Sequence, residues 1–183
     1  MFRTFFTAAL PVIAILSLVI YLPLYLVKKR KYGKRPIARH LAIYACIGVI
    51  LSVLYATILF TGFKPHFGDL NLVPFIWVWK PYAAGEAYTL EQVALNLVMT
   101  VPLGFFLPAV FRSCRSWWKT GRDIAIFISI IETAQFFIGR SADIDDLIMN
   151  TLGGLIGFAV WQWLDRSLEG QPFWENACDC SAA

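Results

Sequence analysis

Charge is scarce in this chain. Asp, Glu, Lys and Arg make up 15% of its 183 residues, while 58% are hydrophobic. A soluble domain carries about 25% charged and about 45–50% apolar residues. The shortage excludes a sizeable soluble domain. Histidine is nearly missing, with two residues, and no His-x-x-x-His zinc pair occurs. There is no Gly-rich loop to cradle phosphate and no Gly-x-Ser-x-Gly elbow. Neither an internal repeat nor a low-complexity linker interrupts the chain, so we read one domain. The first apolar run is too long for the h-region of a signal peptide, and no small-residue cleavage site follows it.

Cysteine is also sparse, and its four copies form no disulfide framework. Cys46 lies in an apolar run, Cys114 in a basic loop, and Cys178 and Cys180 in the C-terminal tail. The last three are expected in the cytosol, where thiols stay reduced. Cys178-Asp179-Cys180 could bind metal, but two thiolates alone are a weak signal, and the tail is expected to fray. We expect no cofactor and no metal. Asp143-x-Asp145-Asp146 supplies oxygen ligands of the kind Mg²⁺ or Ca²⁺ takes, but at short and unspecific spacing.

What the chain has instead is long apolar runs. About 20 apolar residues span the roughly 30 Å hydrocarbon core as a helix. Five such helices are expected, over residues 5–27, 41–61, 93–111, 123–138 and 146–164. The fold class is an all-α membrane bundle. Residues 1–61 form two N-terminal helices around a basic loop. Residues 62–164 form a core of an outer loop and three helices, and residues 165–183 a tail. Pro11 and Pro23 are tolerable in a membrane helix. Segment 62–92 carries Asn71-Leu-Val-Pro-Phe75 and an outer aromatic belt of Trp77, Trp79, Tyr82 and Tyr88. Trp117, Trp118, Trp161 and Trp163 suit an inner belt.

Orientation follows from Lys and Arg. The loops after the first and third helices hold eleven of the sixteen; the opposite loops hold Lys64, Lys80 and Arg140. The positive-inside rule places the N-terminus outside and the C-terminus in the cytoplasm. The net charge of +4 is then a topology signal, and no nucleic-acid partner is expected.

Against this background the polar residues of the second half stand out. An ionisable side chain inside a span costs roughly 2.5–3.5 kcal/mol, so it marks a site more often than not. At 1.5 Å per residue, Glu132 lies roughly 10 Å below the outer end of its helix, Asn96 about 7 Å and Asn150 roughly 6 Å. Ser129, Glu132 and Gln135 recur at one spacing; Asp146, Asn150, Gly153 and Gly157 at another; Asn96, Thr100 and Gly104 at a third. Residues three and four apart share a helix face. Small residues let membrane helices approach closely. Three helices are therefore expected to pack through their small inner halves. They would open outward into a polar pocket capped by Arg140, Asp143, Asp145 and Asp146.

Plainer roles stand beside this one. Asp145 or Asp146 is a favoured type for the N-cap of the last helix. Arg140 has Asp143 within reach in sequence. Glu132 has Gln135 or Asn96 as hydrogen-bond partners. Asn96 and Asn150 suit interhelical hydrogen bonds, and Gly153-Gly154 suits packing. His66 is expected in a solvated loop and His40 at the cytoplasmic headgroups.

The ordered motifs Asn71-Leu-Val-Pro-Phe75, Asn96-Leu-Val-Met-Thr-Val-Pro-Leu-Gly-Phe105, Glu132-Thr-Ala-Gln135, Gly139-Arg-Ser141, Asp143-Ile-Asp-Asp146 and Asn150-Thr-Leu-Gly-Gly154 resemble the VanZ family. That family consists of small multi-spanning bacterial membrane proteins named after a teicoplanin-resistance protein. Thr100 departs from it, standing where an aromatic or aliphatic residue is commoner. The resemblance implies a multi-pass protein of the bacterial plasma membrane. It carries over Asn96, Glu132, Gln135, Arg140, Asp143, Asp145, Asp146 and Asn150 as candidate ligand-binding residues. Membrane lipids and a lipid-linked envelope precursor or lipoglycopeptide are the implied partners. Arg140 would meet an anionic group, the Asp cluster would accept hydrogens or hold a cation, and the two Asn would orient the ligand. The implied role is glycopeptide resistance or envelope homeostasis. A membrane enzyme with Glu132 as acid or base is the alternative. A transporter or flippase is a further one, although its site would be expected near the midplane.

Overall fold

The computed structural model describes residues 9–32, 35–59, 66–75 and 86–178. Helix α1 is Leu10–Tyr32. Helix α2 is Ile37–Leu54, entered through Pro36, and it runs on as a π-helical turn, Tyr55–Leu59. A two-residue strand β1, Leu70–Asn71, precedes α3, Glu86–Val110. Helix α4 is Trp117–Phe137, with Ser116 as its N-cap. Strand β2, Ala142–Asp143, leads directly into α5, Ile144–Ser167. A short helix α6, Pro172–Cys178, closes the described chain. The outer-belt residues Trp77, Trp79 and Tyr82 lie outside the described residues, as do Cys180 and the side chain of Tyr88.

Four helical stretches are long and apolar enough to cross a membrane: Leu10–Val27, Ile37–Ile58, Glu91–Val110 and Ile144–Ser167. Helix α4 sits where the fourth span was expected but falls outside this set. Lys119, Arg122, Asp123 and Glu132 interrupt its apolar character. Large apolar side chains on the outer faces, such as Ile15 and Val27 of α1, are exposed. That is the reverse of a water-facing surface and suits lipid contact.

The tightest contact joins α3 to α5, and glycine makes it possible. A Cβ on Gly104 would stand 1.8 Å from the Gly154 carbonyl oxygen. One on Gly153 would stand 2.0 Å from Leu97 O, and one on Gly157 2.0 Å from Val101 O. Gly154 turns its missing side chain to α4, where Ile124 Cδ1 fills the space. The expected packing role of this stripe is what the helices use. Val53, Leu103, Ile124, Ile128 and Ile131 form one apolar core between α2, α3 and α4. Ala109, Phe158, Trp161, Trp174 and Cys178 form a second around α6.

The α6 end corrects three expectations. Arg39 is buried and not merely a topology charge. Its Nη1 donates to Ala109 O (2.7 Å) and Ala177 O (3.0 Å), and its Nη2 to Val110 O (2.6 Å). These include carbonyls at the C-terminus of α3, which have no intrahelical partner and carry the negative end of the helix dipole. Cys178 is not in a frayed tail but buried against the core, its carbonyl accepting from Arg115 Nη2. Trp161 belongs to the core rather than to an interfacial belt, with the Arg115 guanidinium 5.7 Å from its ring. Trp117, Trp118 and Trp163 are exposed.

Candidate functional site

The polar residues gather at the opposite end, around the connection from α4 to α5. Gly139, at φ 82°, ends α4 in a conformation that favours glycine. The chain then enters β2, which pairs in parallel with β1, Leu70 against Ala142 and Asn71 against Asp143. Gly68 N donates to Phe136 O at 2.9 Å, and a Cβ on Gly68 would stand 1.6 Å from Arg140 O. Segment 66–75 is thereby pressed onto the α4–α5 connection.

Asp143 organises this junction. Its Oδ1 accepts from Asp145 N (2.9 Å), so the N-cap of α5 is Asp143 and not Asp145 or Asp146. Its Oδ2 accepts from Asn71 Nδ2 (3.0 Å), and its own N–H donates to Glu132 Oε2 (3.1 Å). Glu132 therefore serves the α4–α5 turn. Asn96 reaches elsewhere too, donating from α3 to Asp146 Oδ1 on α5.

Asn71 belongs to the Asn71–Phe75 motif and stands outside the eight candidates. Its Oδ1 accepts from Val73 N at 3.2 Å, an Asx-type turn that folds the loop. Two residues on, Phe75 N donates to Asp145 Oδ1 at 2.6 Å. Phe75 does so at φ 59°, which a bulky residue adopts only under constraint.

Asn150 is buried on α5, and its Nδ2 donates to Asp146 O at 2.8 Å. Its own carbonyl accepts from Thr100 Oγ1 at 2.6 Å. The unusual Thr100 thus ties α3 to α5 by a buried hydroxyl. Gln135 Nε2 donates to Thr57 O (2.9 Å), and Arg140 Nη1 donates to the same oxygen (2.5 Å). Thr57 lies in the π-helical turn that ends α2, where carbonyls lose their helical partners. Arg140 is near enough to act electrostatically on both Glu132 and Asp146.

All eight candidates, Asn96, Glu132, Gln135, Arg140, Asp143, Asp145, Asp146 and Asn150, thus line this one end. Ser129 does not join them. It is exposed, and its hydroxyl donates back to Ala125 O at 2.8 Å. Six residues at 3.6 per turn carry Ser129 about 120° round the helix from Gln135. It lines an apolar groove along the outer side of α4, together with Ala125, Ile126 and Phe137.

The cluster holds four carboxyls and one guanidinium. Three buried oxygens in it, Gln135 Oε1, Asp145 Oδ2 and Asn150 Oδ1, have no hydrogen-bond partner among the described residues. The amide orientations are dictated by their neighbours: each NH₂ faces a carbonyl, which leaves the oxygen as the open atom. Buried polar groups are paired in the great majority of cases, so three together need a reason. All three are acceptors. Among the described residues no group of three or more His, Cys, Asp or Glu is arranged to hold a metal ion. Oxygens of Asp143 and Asp145 already face N–H donors.

No curated protein and no solved structure matches the chain. A family model described as VanZ/LLP1 matches residues 41–165. That match takes in most of α2 as well as the motif-bearing region, and it leaves out α1 and α6. Because it covers more than half of the chain, and because four helices suit a membrane, this is a membrane protein that belongs to the VanZ/LLP1 family.

Proposed function

We propose that this protein binds a polar cell-envelope component, lipid-linked or a lipoglycopeptide, at the end of the bundle that carries Glu132 and the three Asp. In this reading α4 is a fifth span, the N-terminus is outside and the C-terminus is cytoplasmic. The acidic end then faces the exterior of a bacterial plasma membrane. The role is glycopeptide resistance of the teicoplanin type, or envelope homeostasis.

One observation carries the reading: three buried acceptor oxygens, of Gln135, Asp145 and Asn150, have no partner among the described residues, and all three belong to motif residues at this end. Acceptors call for a ligand rich in amide N–H or hydroxyl groups, which glycan and peptide parts of envelope components supply. Asp143 and Asn71 hold the 66–75 segment over this end and shape its rim. Arg140 offsets part of the negative charge.

Lipid mass spectrometry on the purified protein tests it. Wild type should carry an envelope lipid enriched over bulk phospholipid, and Asn150→Ala should lose it. Wild-type protein that carries bulk phospholipid only, and binds no lipoglycopeptide, overturns the reading.

A second reading, catalysis on a lipid-linked substrate, is favoured by the half-buried Glu132 carboxyl beside Asp146. Glu132→Gln separates the two, since it keeps shape and hydrogen bonding but removes acid–base work.

A further inference from the structure

The end of the bundle remote from Glu132 has a recess of its own, between α1 and α2. Its polar wall is Tyr21, Tyr25, Lys29, Arg35 and His40, and its apolar floor is Leu24 and Ile43. The wall is held in place. Tyr21 Oη and His40 Nδ1 share a hydrogen bond, and the Tyr25 and His40 rings meet edge to face at 5.2 Å. Lys29 Nζ stands 5.5 Å from the centre of the Tyr25 ring. A cation fixed over an aromatic face gives up less side-chain freedom when it meets an anion.

The charged residues of α1 and α2 are all basic. No Asp or Glu occurs before Asp69 in the sequence, so neither α1 nor α2 supplies a carboxylate. The depth is also informative. The apolar stretch of α1 ends at Val27, and Lys29 follows two residues later. Leu22, Leu24 and Leu26 on the same helix are about half exposed. A cationic wall directly above an apolar helix surface matches a molecule with a phosphate at one end and acyl chains at the other.

We propose that this recess holds the phosphate of an anionic membrane lipid. Lys29 and Arg35 supply charge, and Arg35 adds the planar fork that pairs with phosphate oxygens. Tyr21 and His40 supply hydrogen-bonding groups, and Leu24 and Ile43 meet the glycerol and upper acyl carbons. The recess lies almost wholly before residue 41, outside the family match. It does not depend on what the acidic end binds.

The test uses the full-length protein in mixed micelles of phosphatidylglycerol and phosphatidylcholine in equal amounts, with retained lipid counted by native mass spectrometry. Wild type should retain phosphatidylglycerol in preference. Lys29→Gln and Arg35→Gln should each lower that preference roughly fivefold, as expected for one basic contact with an anionic headgroup. Lys29→Arg should keep it. Raising salt should weaken the wild-type preference, a measurement that needs no variant. An unchanged preference in the double glutamine variant, or in high salt, overturns the proposal. So does displacement of the lipid by millimolar inorganic phosphate, which would make this a free-phosphate site.

Discussion

Glu132 on α4 accepts the backbone N–H of Asp143 at 3.1 Å, so one side chain fastens the strand that leads into α5. The same Asp143 caps α5 and receives Asn71 from the 66–75 segment. Three separate pieces of chain therefore meet through one pair of acids. Glu132→Ala leaves the Asp143 N–H unpaired and should lower stability by about 1–3 kcal/mol. Glu132→Gln retains an acceptor oxygen and should fall well short of that. Thermal unfolding in detergent compares the two. Equal losses would mean the hydrogen bond contributes little.

The glycine contacts predict a steep contrast. Gly104→Ala or Gly157→Ala places a methyl within about 2 Å of backbone on the partner helix. Each should cost at least about 1–3 kcal/mol, since backbone cannot step aside as a flexible side chain does. Gly170→Ala meets no atom within 4 Å and suffers only from its φ of 79°. It should cost about 1 kcal/mol. Midpoints of thermal unfolding rank the three.

Arg39 should behave as a structural clamp. Arg39→Lys keeps the charge but cannot reach the carbonyls of Ala109, Val110 and Ala177 together. Both Arg39→Lys and Arg39→Ala should loosen α6. Faster limited proteolysis near residues 168–178 is the expected sign. Cleavage at the wild-type rate in both variants would refute the clamp.

Burial pushes the Cys114 thiol above its ordinary value, and the hydrogen-bonded Asp123 carboxylate adds to this while Ser113 partly offsets it. The thiolate is the reactive form, so at a given pH less of it is present than for a free cysteine. Maleimide labelling of Cys114 should be slow at neutral pH and rise only in alkaline solution. Asp123→Asn should shift that rise toward lower pH. A labelling profile like that of the unfolded chain would contradict this.

Orientation is open to direct measurement. Ser141 is exposed at the acidic end. A Ser141→Cys variant, with the native cysteines replaced, should react with an impermeant thiol reagent added to whole cells. Labelling that occurs only after the membrane is opened would reverse the topology and remove the envelope-facing role.

Much of this architecture was legible in the residue pattern. A bilayer tolerates only long apolar stretches with internally satisfied backbone, so the helices announce themselves. The spacings Asn96-Thr100-Gly104 and Asp146-Asn150-Gly153-Gly157 correctly marked the α3–α5 contact, because residues three and four apart share a helix face. The candidate polar residues do sit at one end. Ser129 was misplaced because a spacing of three, repeated, rotates off the face. Arg39 and Arg115 were undetectable as clamps. Their worth depends on carbonyls about 70 residues away, and sequence cannot say which orphaned helix end a guanidinium will meet.

The sequence by itself determined which stretches are helical and apolar, where the small residues fall, and to which family the motifs point. Those properties are local, set by composition and by the 3.6-residue turn. Only the tertiary structure decided who partners whom: that Asp143 and not its neighbours caps α5, that Asn71 reaches it, that Thr100 ties two helices, and that three acceptor oxygens remain open. Hydrogen bonds between distant segments depend on how the helices rotate and dock, and that is a property of the packed chain as a whole.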